Sequence, residues 1–329
     1  MTTYKEIFGK YVKNYSSDPS SDIEGQIWYN STSGTFKSQV LVADAWASGG
    51  NLNVARDVFA GAGTQTATAV FGGRGPAGDP VAAIATENYN GSTWTTSGNL
   101  STQRRYCSGC GNSQTAALAV SGQNQISPVT ASEEYGGSSW TSGGSYPFAF
   151  GFLMVTGTQT AAISAGGPYP SVPESQSAFE YDGSSWTGTG NLNTRRSSGN
   201  GIGIQTAALF VGGYGGGFVS AVESYDGTSF TTGTSTPTPQ GGGGSGGTQT
   251  SAIVFANDPS PYNAITFNGT SWATSVAQLN TGRGNVAKTI NGAPATGVIA
   301  VGGNTGPSIV ASTEEYTVGG LATKTITTS

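Results

Sequence analysis

Histidine is absent from all 329 residues, which removes His-based general acid–base catalysis and His-containing catalytic triads. Cysteine is almost as scarce. The two present, Cys107 and Cys110, form a Cys-x-x-Cys pair, but zinc takes four Cys/His ligands and the chain has no others. A bond between them is disfavoured too, because positions i and i+3 of a strand face opposite ways. Charged residues make up 9 % of the chain and sum to −5, so no basic cluster recommends nucleic acid or an anionic membrane as a partner. No apolar run approaches the length of a membrane span, and residues 1–14 lack the apolar core of a signal peptide. The chain is therefore expected to be soluble and not exported through the general secretory route.

What the chain has instead is 53 glycines and a regular procession of aromatics. Trp46, Trp94, Trp140, Trp186, Phe230 and Trp272 each follow a tight polar turn, at spacings of 48, 46, 46, 44 and 42 residues. A period in this range, filled by short strands and turns, marks propeller blades rather than disorder, because aromatics in register supply a core that a disordered chain lacks.

One unit runs through Asn191-Leu-Asn-Thr-Arg-Arg196, a Gly/Ser strand, Gln205-Thr-Ala-Ala-Leu-Phe-Val-Gly-Gly213, a variable loop, then Val222-Glu-Ser-Tyr-Asp-Gly-Thr-Ser-Phe230. Four strands fit this unit, with a tight hairpin at Asp-Gly joining the last two. Arg, then Gly-Gly, then Glu-x-Tyr-Asp, then Trp resembles the Kelch motif, over about 280 of the 329 residues. The resemblance implies an all-β, Kelch-like β-propeller of four-stranded antiparallel blades, and counting units from Asn51 gives six. The sixth, about 278–320, lacks its outer aromatic, so residues 39–46 with Trp46 are expected to complete it and close the ring. The chain then divides into an anchor segment 1–38, a propeller 39–320 and a polar tail 321–329.

Arg56, Arg105, Arg196 and Arg283 occupy equivalent places in repeats 1, 2, 4 and 6. Four guanidinium groups on one ring could bind an anion. The same four repeats, however, carry Glu87, Glu133, Glu223 and Glu314, and both partners vanish together in repeat 3 (Phe150, Phe179) and repeat 5 (Gln240, Ile265). Joint loss is what a buried ion pair predicts, since one orphaned partner is costly while an apolar pair is tolerated. In the same alignment Cys107 corresponds to Val58, Phe152 and Ser198, and Cys110 to Gly61 and Gly201, which makes both cysteines small strand residues.

The loops between the second and third strands vary most, and repeats 3, 4 and 5 place Tyr169, Tyr214 and Tyr262 there. Three aromatics could form a sugar-stacking platform, or each could simply cover its own loop. Asp79, Glu174 and Asp258 also lie on loops, too scattered to nominate as an acid–base pair. The Kelch resemblance extends to oxidases with a copper site, which the lack of histidine excludes. Asp182 and Gly183 are adjacent, unlike the spaced pair of a sialidase Asp-box. No cofactor is implied.

Residues 1–38 do not fit the repeat, and their aromatics Phe8, Tyr11, Tyr15, Trp28 and Tyr29 need partners. The stretch from Ser-Asp-Pro to Glu24-Gly-Gln-Ile-Trp-Tyr-Asn-Ser-Thr-Ser-Gly-Thr-Phe-Lys37 is similar to the opening of tailed-bacteriophage virion appendage and fibre-type proteins. That resemblance implies a non-enzymatic virion structural protein, assembled in the host cytoplasm and then exposed. It would attach to other virion proteins through residues 1–38, be oligomeric in the assembly, and keep loops free for host-surface glycans. A cellular protein-interaction Kelch propeller and a glycan-cleaving propeller enzyme are the rival readings.

Overall fold

The computed structural model describes residues 12–19, 24–76, 82–167, 174–257, 260–287 and 294–327. Every regular element among them is a strand. The chain separates into two compact units, residues 46–317 and a smaller one of residues 1–45 with 318–329.

In the larger unit five sheets each consist of four consecutive antiparallel strands. Repeat 1 shows the pattern with Ala60–Thr64, Ala67–Phe71, Thr86–Tyr89 and Trp94–Ser97. The polar turn before the outer strand is set by a side-chain oxygen in repeats 1, 3, 4 and 5. Oδ1 of Asn90, Asp182, Asp226 and Asn268 accepts from the amides two and three residues on, the Asx geometry that suits Asn and Asp to such positions. A further sheet joins Ile299–Val301 and Thr313–Thr317 to Ala45–Ser48. The strand beside Thr313–Thr317 is thus 45–48, not the expected 39–46.

Residues 39–42 belong elsewhere, to the long strand Thr35–Val42, which pairs with Ile27–Asn30 on one side and with Gly320–Thr325 on the other. Lys13–Tyr15 adds a parallel strand to Ile27–Asn30. This sheet brings the count to seven, where the aromatic period gave six. Its strands come from the segments assigned to an anchor and a tail. It lacks the period-setting aromatic that marks the other outer strands, and so falls outside the repeat pattern.

In repeats 1 to 5 the residue two before the first strand is left-handed, as is the equivalent Asn285 of repeat 6: Val58, Tyr106, Phe152, Ser198, Gly242 and Asn285 have φ of 51°, 54°, 60°, 59°, 68° and 53°. Their backbones form a circle. The amide of Tyr106 donates to Val58 (2.9 Å), Phe152 to Tyr106 (3.1 Å), Ser198 to Phe152 (2.9 Å), Gly242 to Ser198 (2.9 Å), Asn285 to Gly242 (2.7 Å) and Val58 to Asn285 (3.1 Å). A left-handed non-glycine residue costs roughly 1–2 kcal/mol, and the circle of bonds offsets that strain. Ser198→Gly should therefore raise stability by up to about 1 kcal/mol, after the entropy that glycine adds to the unfolded chain. A urea melt showing a loss of stability would contradict this account of Ser198.

Candidate functional site

The recurring polar residues come first, because any site must be built from what they leave over. Arg56 pairs with Glu87 at 2.6 Å, both fully buried, and Arg196 and Arg283 pair with Glu223 and Glu314. In repeat 2 the partner of Glu133 is Arg104, not Arg105. The doublet Arg104-Arg105 hides the choice, and the first hairpin of repeat 2 carries a register shift between Ala116 and Leu118 that lengthens it. Each glutamate also accepts from two consecutive amides of the segment entering its repeat: Asn53 and Val54, Ser101 and Thr102, Asn193 and Thr194, Asn280 and Thr281. A carboxylate holding a guanidinium and two N–H groups is fully used as an acceptor. In repeat 3 Phe150 and Phe179 pack into one apolar cluster, and in repeat 5 Ile265 is buried while Gln240 donates to its own loop at Thr238.

Three further stitches join neighbouring repeats. The Gln of Gln-Thr-Ala donates its side-chain amide to two carbonyls of the preceding repeat, as Gln65 does to Val298 and Tyr316, and Gln205 to Ala162 and Tyr181. The outer tryptophan donates Nε1 to a hydroxyl of the preceding repeat: Trp94 to Thr313, Trp140 to Thr86, Trp186 to Ser132. Phe230 faces the position held by Ala178, which offers no acceptor, and an aromatic without N–H is the match.

The third-strand tyrosines complete the set. Tyr89 donates to Glu315 (2.6 Å), Tyr181 to Glu134 (2.6 Å) and Tyr225 to Glu180 (2.9 Å). Burial first, and then the adjacent carboxylate, pushes the phenols of Tyr89 and Tyr181 up to about 12, and Tyr225 reaches about 12 mainly through burial. In the unfolded chain a tyrosine releases its proton near pH 10. The stability these groups add is thus complete below pH ~10 and lost as pH rises toward 12. Denaturant midpoints measured from pH 9 to 12 should fall across that window, and a flat profile would contradict the stitches.

The cysteines lie one position away from the sequence alignment. Cys107 follows the left-handed Tyr106 as Phe59 follows Val58, so its counterpart is Phe59, and that of Cys110 is Ala62. Both are buried thiols outside any disulfide, Cys107 donating to the Phe71 carbonyl (3.8 Å) and Cys110, with its pKa pushed well up by burial, to the Thr158 carbonyl (3.5 Å).

No family model matches the chain, and no curated protein matches it. Among solved structures 240 chains do. One of them, YjhT, superimposes with a TM-score of 0.66 at 13 % identity, over 83 % of this chain and 99 % of its own. The fold is that of a β-propeller.

What remains for function on the propeller is the set of side chains that vary between repeats around the left-handed circle. Tyr106 and Phe152 stack at 4.5 Å, and the guanidinium of Arg105 lies 5.5 Å over Tyr106. Arg105 is thus a half-buried cation on an aromatic pair, with no ion pair among the described residues, and its backbone bridges to Gln123. Arg74 makes a two-pronged bond to buried Asp57 (3.0 and 2.6 Å), to which Asn304 also donates (3.2 Å). Those hydrogen bonds raise the Arg74 pKa. Phe148 is half exposed and stacks on Phe150 at 5.3 Å.

Of the three loop tyrosines, Tyr169 lies outside the described residues, as do Asp79 and Asp258. Tyr214 packs edge-on against Phe218 at 5.8 Å. Tyr262, half exposed, lies against Gly282. Among the described residues the rings of these two tyrosines are not in contact with each other. The sequence missed Tyr106, Phe152 and Asp57, whose only signal was their distance from a correctly placed arginine. Among the described residues no three Cys, Asp or Glu side chains gather as a metal site needs.

In the smaller unit Trp28 is buried and donates Nε1 to Asp18 (3.0 Å), which also accepts from Asn30 (2.8 Å) and has its pKa lowered by both bonds. Tyr15 lies in the parallel strand opposite Asn30, and Tyr29 packs against Phe36 at 5.2 Å. Phe8 and Tyr11 lie outside the described residues. The register places Ile27, Tyr29, Phe36, Val40 and Val42 on one face, where Ile27, Phe36 and Val42 are 36 %, 48 % and 39 % exposed.

Proposed function

We propose that this chain is a non-enzymatic structural propeller of a tailed-phage particle, attached by its smaller unit and displaying the irregular loops of repeats 2 to 5 to host-surface glycans. The observation that carries the reading is the division of labour among side chains. The recurring acids and bases are consumed by stitches within and between repeats, and the half-exposed aromatics are left for contact. The apolar face of Ile27, Phe36 and Val42 supports attachment through the smaller unit, as an exposed apolar patch marks an interaction surface. The similarity of residues 17–37 to virion appendage openings supports the setting.

The proposal includes closure of the ring of repeats by Ala45–Ser48. Its place beside Thr313–Thr317 and the circle of backbone bonds support it. Two experiments test the function. Particles produced with a chain lacking residues 1–44 should lack the protein while the truncated chain stays folded, and its incorporation would contradict the attachment. The purified chain should release no product from a panel of polysaccharides, and turnover above background would overturn the non-enzymatic reading.

A further inference from the structure

The boundary between repeats 4 and 5 departs from the others in two places at once. By register, Phe267 stands where Tyr225 stands in repeat 4, opposite the second-strand Ala252 and the outer Trp272. The partner position in the preceding repeat, Glu134 for Tyr181 and Glu180 for Tyr225, is here Ser224. Both halves of the tyrosine–glutamate stitch are gone, and the long side chain has become a short one.

A groove of about 260 Å³ lies in the vacated space, lined by Phe267, Leu209, Ser224, Thr234, Thr250 and Thr270 among others, and no residue lining it is charged. Its walls are fixed. Phe267 stacks on Trp272 at 4.8 Å, the Trp272 Nε1 donates to the Thr234 carbonyl (3.0 Å), and the Thr234 hydroxyl donates to the Thr270 carbonyl (3.1 Å). The floor amide of Gln249 is held by Ala208 and Tyr225.

We infer that this groove is a binding site for one uncharged sugar ring. The volume lies below the ~300–1,000 Å³ typical of sites for drug-sized molecules, which suits a single ring. An aromatic flank beside several hydroxyls matches a molecule with one C–H face and hydroxyls around its edge. An acidic sugar would find no cation in the lining, and burying its carboxylate unpaired is unfavourable. The site is separate from the loops around the left-handed circle and does not depend on where the protein is displayed.

Nuclear magnetic resonance titration of the full chain with glucose, galactose, mannose and N-acetylglucosamine, and with N-acetylneuraminic acid as the charged control, tests this. At least one neutral sugar should give saturable shifts of Ser224, Thr250 and Thr270, and the acidic sugar none. The double variant Ser224→Glu/Phe267→Tyr introduces the stitch seen at three other boundaries and fills the groove. It should weaken binding at least about tenfold, or ~1.4 kcal/mol, with no fall in melting temperature, whereas Tyr214→Ala should leave these shifts unchanged. Thr270→Trp, at an exposed turn, blocks the groove from outside and should have the same effect if the double variant does not fold. Absence of binding by every neutral sugar, equal binding by the groove-filled variants, or preference for the acidic sugar would overturn the inference. Loss of binding in Tyr214→Ala alone would move the sugar to the loops.

Discussion

Arg196→Ala should destabilise the protein by about 3–5 kcal/mol, the cost of leaving a buried carboxylate without its counter-charge. Glu223 has no access to water, and only the amides of Asn193 and Thr194 would remain to it. The pair itself is not the source of that stability. Burial lowers the pKa of the Arg196 guanidinium despite its carboxylate partner, the direction expected where desolvation offsets the attraction. Replacing both residues by phenylalanine, as repeat 3 does with Phe150 and Phe179, should therefore recover most of the loss. A double-mutant cycle read by urea denaturation decides it, because additive losses would mean that the two residues act independently.

Trp46→Ala is the second large effect expected, again about 3–5 kcal/mol. The indole is 7 % exposed, packed against Phe255 at 5.1 Å and Tyr316 at 5.2 Å. Unlike Trp94, Trp140 and Trp186 it faces a repeat whose corresponding position is Ala264, and its Nε1 is buried with no hydrogen-bond partner among the described residues. Trp46→Phe should consequently cost no more than ~1.5 kcal/mol, the range of a tolerated apolar exchange. At Trp186 the same change also removes a bond to Ser132 and should cost more. Thermal melts of the three variants separate packing from hydrogen bonding, and equal losses for Trp46→Phe and Trp46→Ala would refute the packing account.

Local chemistry was readable in the chain. The Asx turns at Asn90, Asp182, Asp226 and Asn268 are written in four consecutive residues, and the outer aromatics follow them. The ion pairs were readable because two positions changed together across repeats of one chain. Arg104 was not, since an arginine doublet and a longer hairpin leave the register open by one residue, and that slip carried Cys107 and Cys110 with it. The left-handed circle left no trace. Val, Tyr, Phe, Ser, Gly and Asn all occupy it because the bonding groups are backbone, and its rim, with Tyr106 stacked on Phe152, stayed hidden for the same reason. The sheet that joins Thr35–Val42 to Gly320–Thr325 pairs segments nearly 300 residues apart in the chain, and no repeat motif marks them. The exception at Phe230 became intelligible only once Ala178 was seen opposite it.

At the centre of this account is the proposed closure of the ring of repeats by a strand from the far end of the chain. Two truncations isolate that strand: one chain beginning at residue 45, which keeps Ala45–Ser48 and Trp46, and one beginning at residue 49, which does not. The first should melt in one cooperative transition as a monomer. The second should lose that transition or oligomerise through the uncovered edge of Thr313–Thr317. Identical melting of the two as monomers would contradict closure by this strand.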